Sequence, residues 1–215
     1  FILTYLAQIE HKFKIAILVF INLVCYSLVI LSGERTAFFI INLFFILSFI
    51  FMTRERIIFL YSYLFSIFIF ILFSFINRNI FDRLINFTID QIGIFSNKLY
   101  FFSEIHTAHY LASYKIFTDN ILFGVGPKLF REYCGYEKYY VPKSCSTHPH
   151  NSYMQLLSET GIIGFLFILS LLLFIIYKIL KIFSSNKQKN NFYEYNFKIF
   201  VFVALICTLW PFVPS

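Results

Sequence analysis

The stretch from residue 162 to residue 183 reads IIGFLFILSLLLFIIYKILKIF and carries charge only near its end, at Lys178 and Lys181. A helix needs about 20 mostly apolar residues to cross the hydrocarbon core of a bilayer. This stretch meets that requirement, and it contains no proline that would break the helix. It therefore predicts a membrane-spanning helix.

The composition extends this prediction to the rest of the chain. Of 215 residues, 59% are hydrophobic and only 13% are charged, whereas about a quarter of the residues in a soluble domain are charged. We predict an all-α polytopic membrane protein for which lipid is the solvent over much of the surface. The predicted spans are 13–32, 36–52, 57–76, 162–183 and 197–213.

The basic residues predict the orientation of these spans. Lys and Arg cluster before the first span, between the second and third, and after the fourth, which places all three clusters on one side if the spans alternate. That side is expected to be cytoplasmic. We thus divide the chain into three spans (1–76), a periplasmic loop with short helices (77–161) and two spans (162–215). The net charge of +7 fits this topology and an anionic lipid-linked ligand better than it fits nucleic acid.

Two of the four cysteines lie in the predicted loop. Cys134 and Cys145 would face an oxidising compartment, where a disulfide between them is expected to persist. Cys25 and Cys207 lie inside apolar runs and are expected to be inert. The sequence contains no CxxC pair of the kind that marks many metal sites.

The turn Ser32-Gly33-Glu34-Arg35-Thr36 places an arginine at a membrane boundary. Such an arginine either extends to the headgroups as an anchor or binds an anion. The guanidinium of Arg35 could hold a phosphate through two parallel hydrogen bonds, which a lysine cannot form. Both interpretations of Arg35 remain open from the residues alone.

Residues 121–131 contain Gly124-Val125-Gly126-Pro127, which predicts a turn. The glycine spacing does not fit a Walker or dinucleotide-binding motif. Lys128 and Arg131 follow the turn and could add positive charge near a ligand, or could simply be solvated surface charges.

Residues 146–161 place His148 and His150 on either side of Pro149, just before the chain re-enters the membrane. A neutral imidazole can accept a proton from a hydroxyl group, so His150 is a candidate general base. Asn151 lies at the cap position of a predicted short helix, 152–159. Two other chemistries remain open: a metal site that adds His106 and His109, and a serine nucleophile at residue 144, 146 or 152, although no GxSxG elbow is present.

Three of these blocks together resemble the O-antigen ligase and O-antigen polymerase family. They are the Ser32–Thr36 turn, the string Asp119-Asn120-Ile121-Leu122-Phe123-Gly124-Val125-Gly126, and His150-Asn151-Ser152-Tyr153 followed by Glu159-Thr160-Gly161. The resemblance covers roughly residues 13–183. It implies a GT-C-like helical bundle with about ten or more spans, so we expect this chain to be a C-terminal portion of a longer protein.

The resemblance also implies an activity at the bacterial inner membrane. Such enzymes move a glycan from undecaprenyl pyrophosphate to an acceptor sugar hydroxyl in the periplasm, with inversion and without a metal or other cofactor. The acceptor is the lipid A core for a ligase in lipopolysaccharide biosynthesis, and another lipid-linked glycan for a polymerase. Both remain open here, and the partners expected are the glycan donor, the acceptor and the lipid bilayer.

Roles carried over from the family fall on several residues of this chain. Arg35 is expected to hold the pyrophosphate, and His150 to act as the base, with Asn151 either orienting His150 or capping the helix. Where the family often has a second arginine, this sequence has His106, so Arg131 or a protonated His106 is expected to substitute. Lys128 and His148 complete the predicted binding residues.

Two other classes of function fit these residues less well. A transporter for a lipid-linked sugar would need polar or broken helices near the midplane of the membrane, and Asn22, Asn42 and Ser66 are isolated there. A structural membrane partner without chemistry would leave the grouping of Arg35, His148 and His150 at one boundary unexplained. The tyrosines of the loop could stack on sugars or form an interfacial belt; they are Tyr133, Tyr136, Tyr139 and Tyr140.

Overall fold

The computed structural model describes residues 11–52, 56–93, 100, 102–184 and 192–212, except for the side chains of residues 11, 12, 14, 15, 18 and 192–194. Within these ranges the chain is helical and forms no strand, as predicted. The helices are α1 (His11–Ser32), α2 (Arg35–Phe51), α3 (Arg56–Ile76), α4 (Arg78–Phe81), a π-helical turn (Asp82–Asn86), α5 (Phe87–Ile92), α6 (Glu104–Asp119), α7 (Phe130–Tyr133), α8 (Ser152–Ser184) and α9 (Phe192–Thr208).

Two helices, α3 and α8, are long and apolar enough to cross a membrane. Three shorter apolar helices cover Val19–Ser32, Arg35–Phe51 and Tyr195–Thr208. Every predicted span therefore lies largely in a helix, while the crossing of the membrane by all five, the GT-C-like bundle and the three-part division stay predictions. Arg54, Lys187 and Lys189, which belong to the basic clusters that predict the orientation, and residue 213, the last of the fifth predicted span, lie outside the described part of the chain.

The chain forms two compact units, and α8 and α9 each contribute to both. The first unit comprises Phe1–Ile85 and Ile182–Ala204, and its core is aromatic. The side-chain oxygen of Asn42 accepts hydrogen bonds from the hydroxyl groups of Tyr26 (3.1 Å) and Tyr63 (2.8 Å). Asn42 looks isolated in the sequence, but it is half-buried and its two bonds connect α1, α2 and α3. An amide oxygen shielded from water is costly without a donor, so these bonds favour the contact.

The second unit comprises Asn86–Lys181 and Leu205–Ser215. Its core is a small cluster of buried residues on α6, α7 and the following loop: Ala112, Ile116, Phe130, Cys134 and Tyr139. The predicted disulfide between Cys134 and Cys145 is present. Lys138 and Lys143 also tie this loop to the two ends of α6, through Asp119 (2.6 Å) and Glu104 (2.8 Å).

Three backbone hydrogen bonds join residues 121–126 to residues 158–162, and we call this contact the backbone clasp. The amides of Val125 and Gly126 donate to the carbonyl groups of Ser158 (3.0 Å) and Glu159 (2.9 Å). In return, the amide of Ile162 donates to the carbonyl of Ile121 (2.8 Å). The clasp thus joins the chain that leaves α6 to the second and third turns of α8.

The clasp depends on a kink in α8 at Gly161, where φ is +66° and ψ is −161°. The sequence predicts a short helix, 152–159, and a separate span from residue 162, and the non-helical backbone of Gly161 divides α8 into two helical segments at this point. A Cβ at Gly161 would overlap the backbone of Leu122, and a Cβ at Gly124 (φ +63°) would overlap the backbone of Ser158 and Glu159. Only glycine offers both the left-handed conformation and this close approach at low cost.

Candidate active site

Four histidines from two segments cluster at the start of α8. The ring of His150 lies 4.2 Å from that of His148, 5.3 Å from that of His109 and 5.8 Å from that of His106, measured between centroids. His106 and His109 are three residues apart and share one face of α6. Of the predicted site residues, the structure therefore brings His106, His148 and His150 together within the second unit.

His150 is held in an unusual backbone conformation. Its φ is +55°, in the left-handed region that residues other than glycine seldom occupy. Its Nε2 lies 3.1 Å from the Oγ of Ser146, four residues earlier. Backbone strain of this kind costs about 1–2 kcal/mol per residue and persists where the surroundings fix the conformation. Here the stacked His109 ring and the Ser146 hydroxyl constrain the imidazole.

Asn151 caps α8, as one of its two predicted roles required. Its Oδ1 accepts hydrogen bonds from the amides of Tyr153 (3.0 Å) and Met154 (3.1 Å), and its Nδ2 donates to the carbonyl of Pro211 (2.8 Å). The side chain is buried. These bonds fix the first turn of α8 and, through the adjoining peptide bond, the backbone of His150.

His109 is the most buried of the clustered histidines, with 3% of its surface exposed. Its Nδ1 is buried without a hydrogen-bond partner among the described residues. Burial lowers the pKa of His109 to about 4, and repulsion from the neighbouring His150, His106 and His148 acts in the same direction. The ring that stacks on His150 (interplanar angle 26°) is consequently neutral near pH 7.

The other two rings contact hydroxyl groups. The Nδ1 of His106 lies 2.7 Å from the Oγ of Ser103, and the Nδ1 of His148 lies 2.9 Å from the Oγ1 of Thr147. Among the described residues no three His, Cys, Asp or Glu side chains are arranged to hold a metal ion. Imidazole nitrogens that lie within hydrogen-bonding distance of hydroxyl groups are suited to proton transfer.

The three predicted cationic ligands lie elsewhere in the chain. Lys128 and Arg131 are exposed in the second unit, and neither belongs to the ring contacts of the histidine cluster. Arg35 is the first residue of α2 and belongs to the first unit. Their roles in binding a ligand stay predictions.

Arg83 lies beside the turn that contains Arg35, a position that sequence reasoning did not single out. The Cδ and Nε atoms of Arg83 lie 3.0 Å from the position that a Cβ of Gly33 would take. A terminal nitrogen of Arg83 lies 3.8 Å from Glu34. Glycine at position 33 thus permits a second guanidinium to pack directly on the Ser32–Thr36 turn.

Three contacts were not predicted from the sequence: that of His109 with His150, although His109 was a candidate metal ligand, that of Ser146 with His150, and that of Arg83 with Gly33. The i, i+3 spacing of His106 and His109 on a helix was the available signal for His109, since such residues share a face. Ser146 was considered only as a nucleophile. No local pattern pointed to Arg83, because its contact with Gly33 joins segments 50 residues apart.

Acid should destabilise the protein through His109. Because its pKa in the folded chain, about 4, is below the 6.5 of a free imidazole, the unfolded chain binds more protons between these values. The contribution to stability is fully present above about pH 6.5 and is lost as the pH falls toward 4; it amounts to roughly 3 kcal/mol at most. We expect His109→Phe to reduce the drop in thermal unfolding temperature between pH 7 and pH 4.5.

Tyr110→Phe is the matched control for this measurement. Tyr110 neighbours His109 on α6, and burial raises its pKa to about 12, so its removal should leave the pH dependence between 4.5 and 7 intact. An identical pH dependence in the wild-type chain and His109→Phe would contradict the assignment.

Comparison with known proteins adds one finding to this geometry. The family model described as O-antigen ligase matches residues 18–169, which is more than half of the chain. The match spans α1 from residue 18 onward, the Ser32–Thr36 turn, the histidine cluster and the backbone clasp. No curated protein and no solved structure matches the chain significantly. The extent of the family match shows that this chain belongs to the O-antigen ligase family.

Proposed function

We propose that the protein is an O-antigen ligase: a metal-independent, inverting glycosyltransferase of the bacterial inner membrane. It would move a glycan from undecaprenyl pyrophosphate to a sugar hydroxyl of the lipid A core at the periplasmic face. The proposal rests on the contacts that surround His150. His150 lies inside the segment that matches the family model. The geometry around His150 suits a general base.

The base would act on the acceptor hydroxyl. Imidazole of His150 takes the hydroxyl proton as the acceptor oxygen attacks the anomeric carbon, and the bond from that carbon to the pyrophosphate oxygen breaks. Undecaprenyl pyrophosphate leaves with the bonding electrons, so attack from the opposite side inverts the anomeric centre. A positioned base typically contributes about 10²–10⁴-fold in rate.

Ser146 supports this assignment. Its hydroxyl lies 3.1 Å from Nε2 of His150, within the distance that a base requires from the proton it removes. We propose that the acceptor hydroxyl takes the position of the Ser146 hydroxyl, or that Ser146 orients the imidazole. The neutral His109 ring, stacked on His150, limits rotation of the His150 imidazole.

The leaving group needs positive charge, since negative charge develops on the pyrophosphate as the glycosidic bond breaks. Arg35 is the proposed ligand, because it lies at the amino terminus of α2, where helix geometry also favours an anion. Arg83, packed on Gly33, is a proposed second cation at the same turn. His106, His148, Lys128 and Arg131 remain proposed contacts to the substrates.

We propose that exposed tyrosines of the loop contact the sugars of the substrates. Tyr139 is buried in the core of the second unit, and Tyr133 packs against that core. Tyr136 and Tyr140 are exposed and are the two that could stack on a glycan.

Complementation tests the function and its base together. In a ligase-null strain of the native background, we expect the wild-type gene to restore glycan-capped core on a lipopolysaccharide gel. We expect His150→Asn to lose at least about a hundredfold in transfer, since asparagine tolerates the left-handed backbone but cannot act as a base. His150→Ala should lose as much.

Ser146→Ala is the matched control, because it keeps the imidazole and removes only its hydroxyl partner; measurable transfer should remain. Membrane extraction must show that each variant inserts. Near wild-type transfer by His150→Asn would exclude His150 as the base. A restored ladder in a polymerase-null strain, without capping in the ligase-null strain, would instead assign the polymerase reaction.

Arg35→Lys should be nearly as damaging as Arg35→Ala, because a lysine ammonium cannot form the two parallel hydrogen bonds of a guanidinium to phosphate. We expect both variants to lose most transfer activity in the same assay. Arg78→Lys serves as control: Arg78 is exposed and forms a surface pair with Asp82 at 3.6 Å, which is worth little. Full activity of Arg35→Lys would contradict phosphate binding by Arg35.

A further inference from the structure

Residues 121–123, Ile-Leu-Phe, expose apolar side chains in the second unit although they lie in a connecting segment. All three are exposed, and Phe123 most of all, at 73%. Nothing in the proposed chemistry uses them. We call these three residues the apolar tip. A contiguous exposed apolar patch usually marks a surface that contacts a partner or a membrane.

The backbone clasp fixes the level of the apolar tip along α8. The carbonyl of Ile121 accepts a hydrogen bond from the amide of Ile162 (2.8 Å), and the backbone of Leu122 lies against Gly161. Ile162 is also the first residue of the predicted span, which carries no charge from there to Tyr177. At 1.5 Å per residue, this stretch covers about 24 Å, most of the hydrocarbon thickness of a bilayer.

Exposed apolar side chains of α8 follow directly after Ile162, the residue to which the apolar tip is hydrogen-bonded. Ile163, Leu166 and Phe167 follow Ile162 at the spacing of one helical face, and all three are exposed, Phe167 at 74%. If α8 crosses the bilayer, this face meets acyl chains. The apolar tip, which is hydrogen-bonded to Ile162, then lies at the membrane boundary where that face begins.

We propose that the apolar tip inserts into the acyl-chain region of the bilayer at the boundary where α8 enters it. Its occupant is lipid, and aromatic Phe123 provides most of the buried area. Because the tip is hydrogen-bonded to α8 and directly follows α6, insertion would hold α6 at a fixed height above the membrane. The inference concerns membrane contact and holds whichever glycan reaction the site performs.

Fluorescence quenching tests the insertion. Trp210 is the only tryptophan of the chain, so Phe123→Trp is introduced in a Trp210→Phe background and the full chain is reconstituted into phosphatidylcholine vesicles. We expect phosphatidylcholine brominated in its acyl chains to quench the tryptophan at 123 at least about twofold more strongly than it quenches a control. Aqueous acrylamide should show the opposite order.

The matched control is Glu137→Trp in the same background, since Glu137 is exposed in the polar loop between Tyr136 and Lys138. Circular dichroism confirms that both variants keep the helical content of the parent chain. Equal bromolipid quenching at both positions would overturn the proposal. Quenching at position 123 by acrylamide alone would also overturn the proposal, because it would show that the side chain contacts water. Quenching by neither agent would overturn it as well, because it would show that protein covers the side chain.

Discussion

The backbone clasp between residues 121–126 and 158–162 is the constraint on which the second unit depends. Its three hydrogen bonds require two glycines, since a Cβ at either Gly124 or Gly161 would overlap the opposite backbone. The buried carboxylate of Glu159 adds to it, accepting hydrogen bonds from the amide of Phe130 (3.4 Å) and the side chain of Gln155 (3.1 Å). A clasp made of backbone groups fixes position more tightly than side-chain packing alone, because every bond has one register.

Two contacts join α6 to α8. The clasp joins the segment that directly follows α6 to the second and third turns of α8, and the histidine cluster joins the start of α6 to the residues just before α8. His109 near the start of α6 stacks on His150 just before α8, while Asn151 caps α8 and fixes the adjoining backbone. The stacked His109 ring and the Asn151 cap thus orient the proposed base, and the structure around His150 sustains its backbone strain.

The sequence allowed the helical class, the helix positions, the disulfide and the Asn151 cap to be predicted, because each follows from local composition, spacing or compartment. The sequence also pointed to the two glycine-containing strings, 121–126 and 158–162. It predicted a turn and a helix junction, however, and not that the two strings contact each other. Their pairing joins segments about 35 residues apart. The burial of His109, the contact of Arg83 with Gly33 and the bonds to Asn42 are likewise tertiary, and no local pattern encodes them.

Amide hydrogen exchange at the clasp tests the central claim most directly. The account predicts that the amides of Val125, Gly126 and Ile162 exchange slowly in the wild-type chain and much faster in Gly124→Ala, since the added Cβ displaces the Glu159 backbone. Gly135→Ala is the control: a Cβ there meets only the Glu132 carbonyl oxygen, at an ordinary 3.6 Å, so it should leave the three amides protected. Rapid exchange of these amides in the wild-type chain, or unchanged protection in Gly124→Ala, would contradict the account.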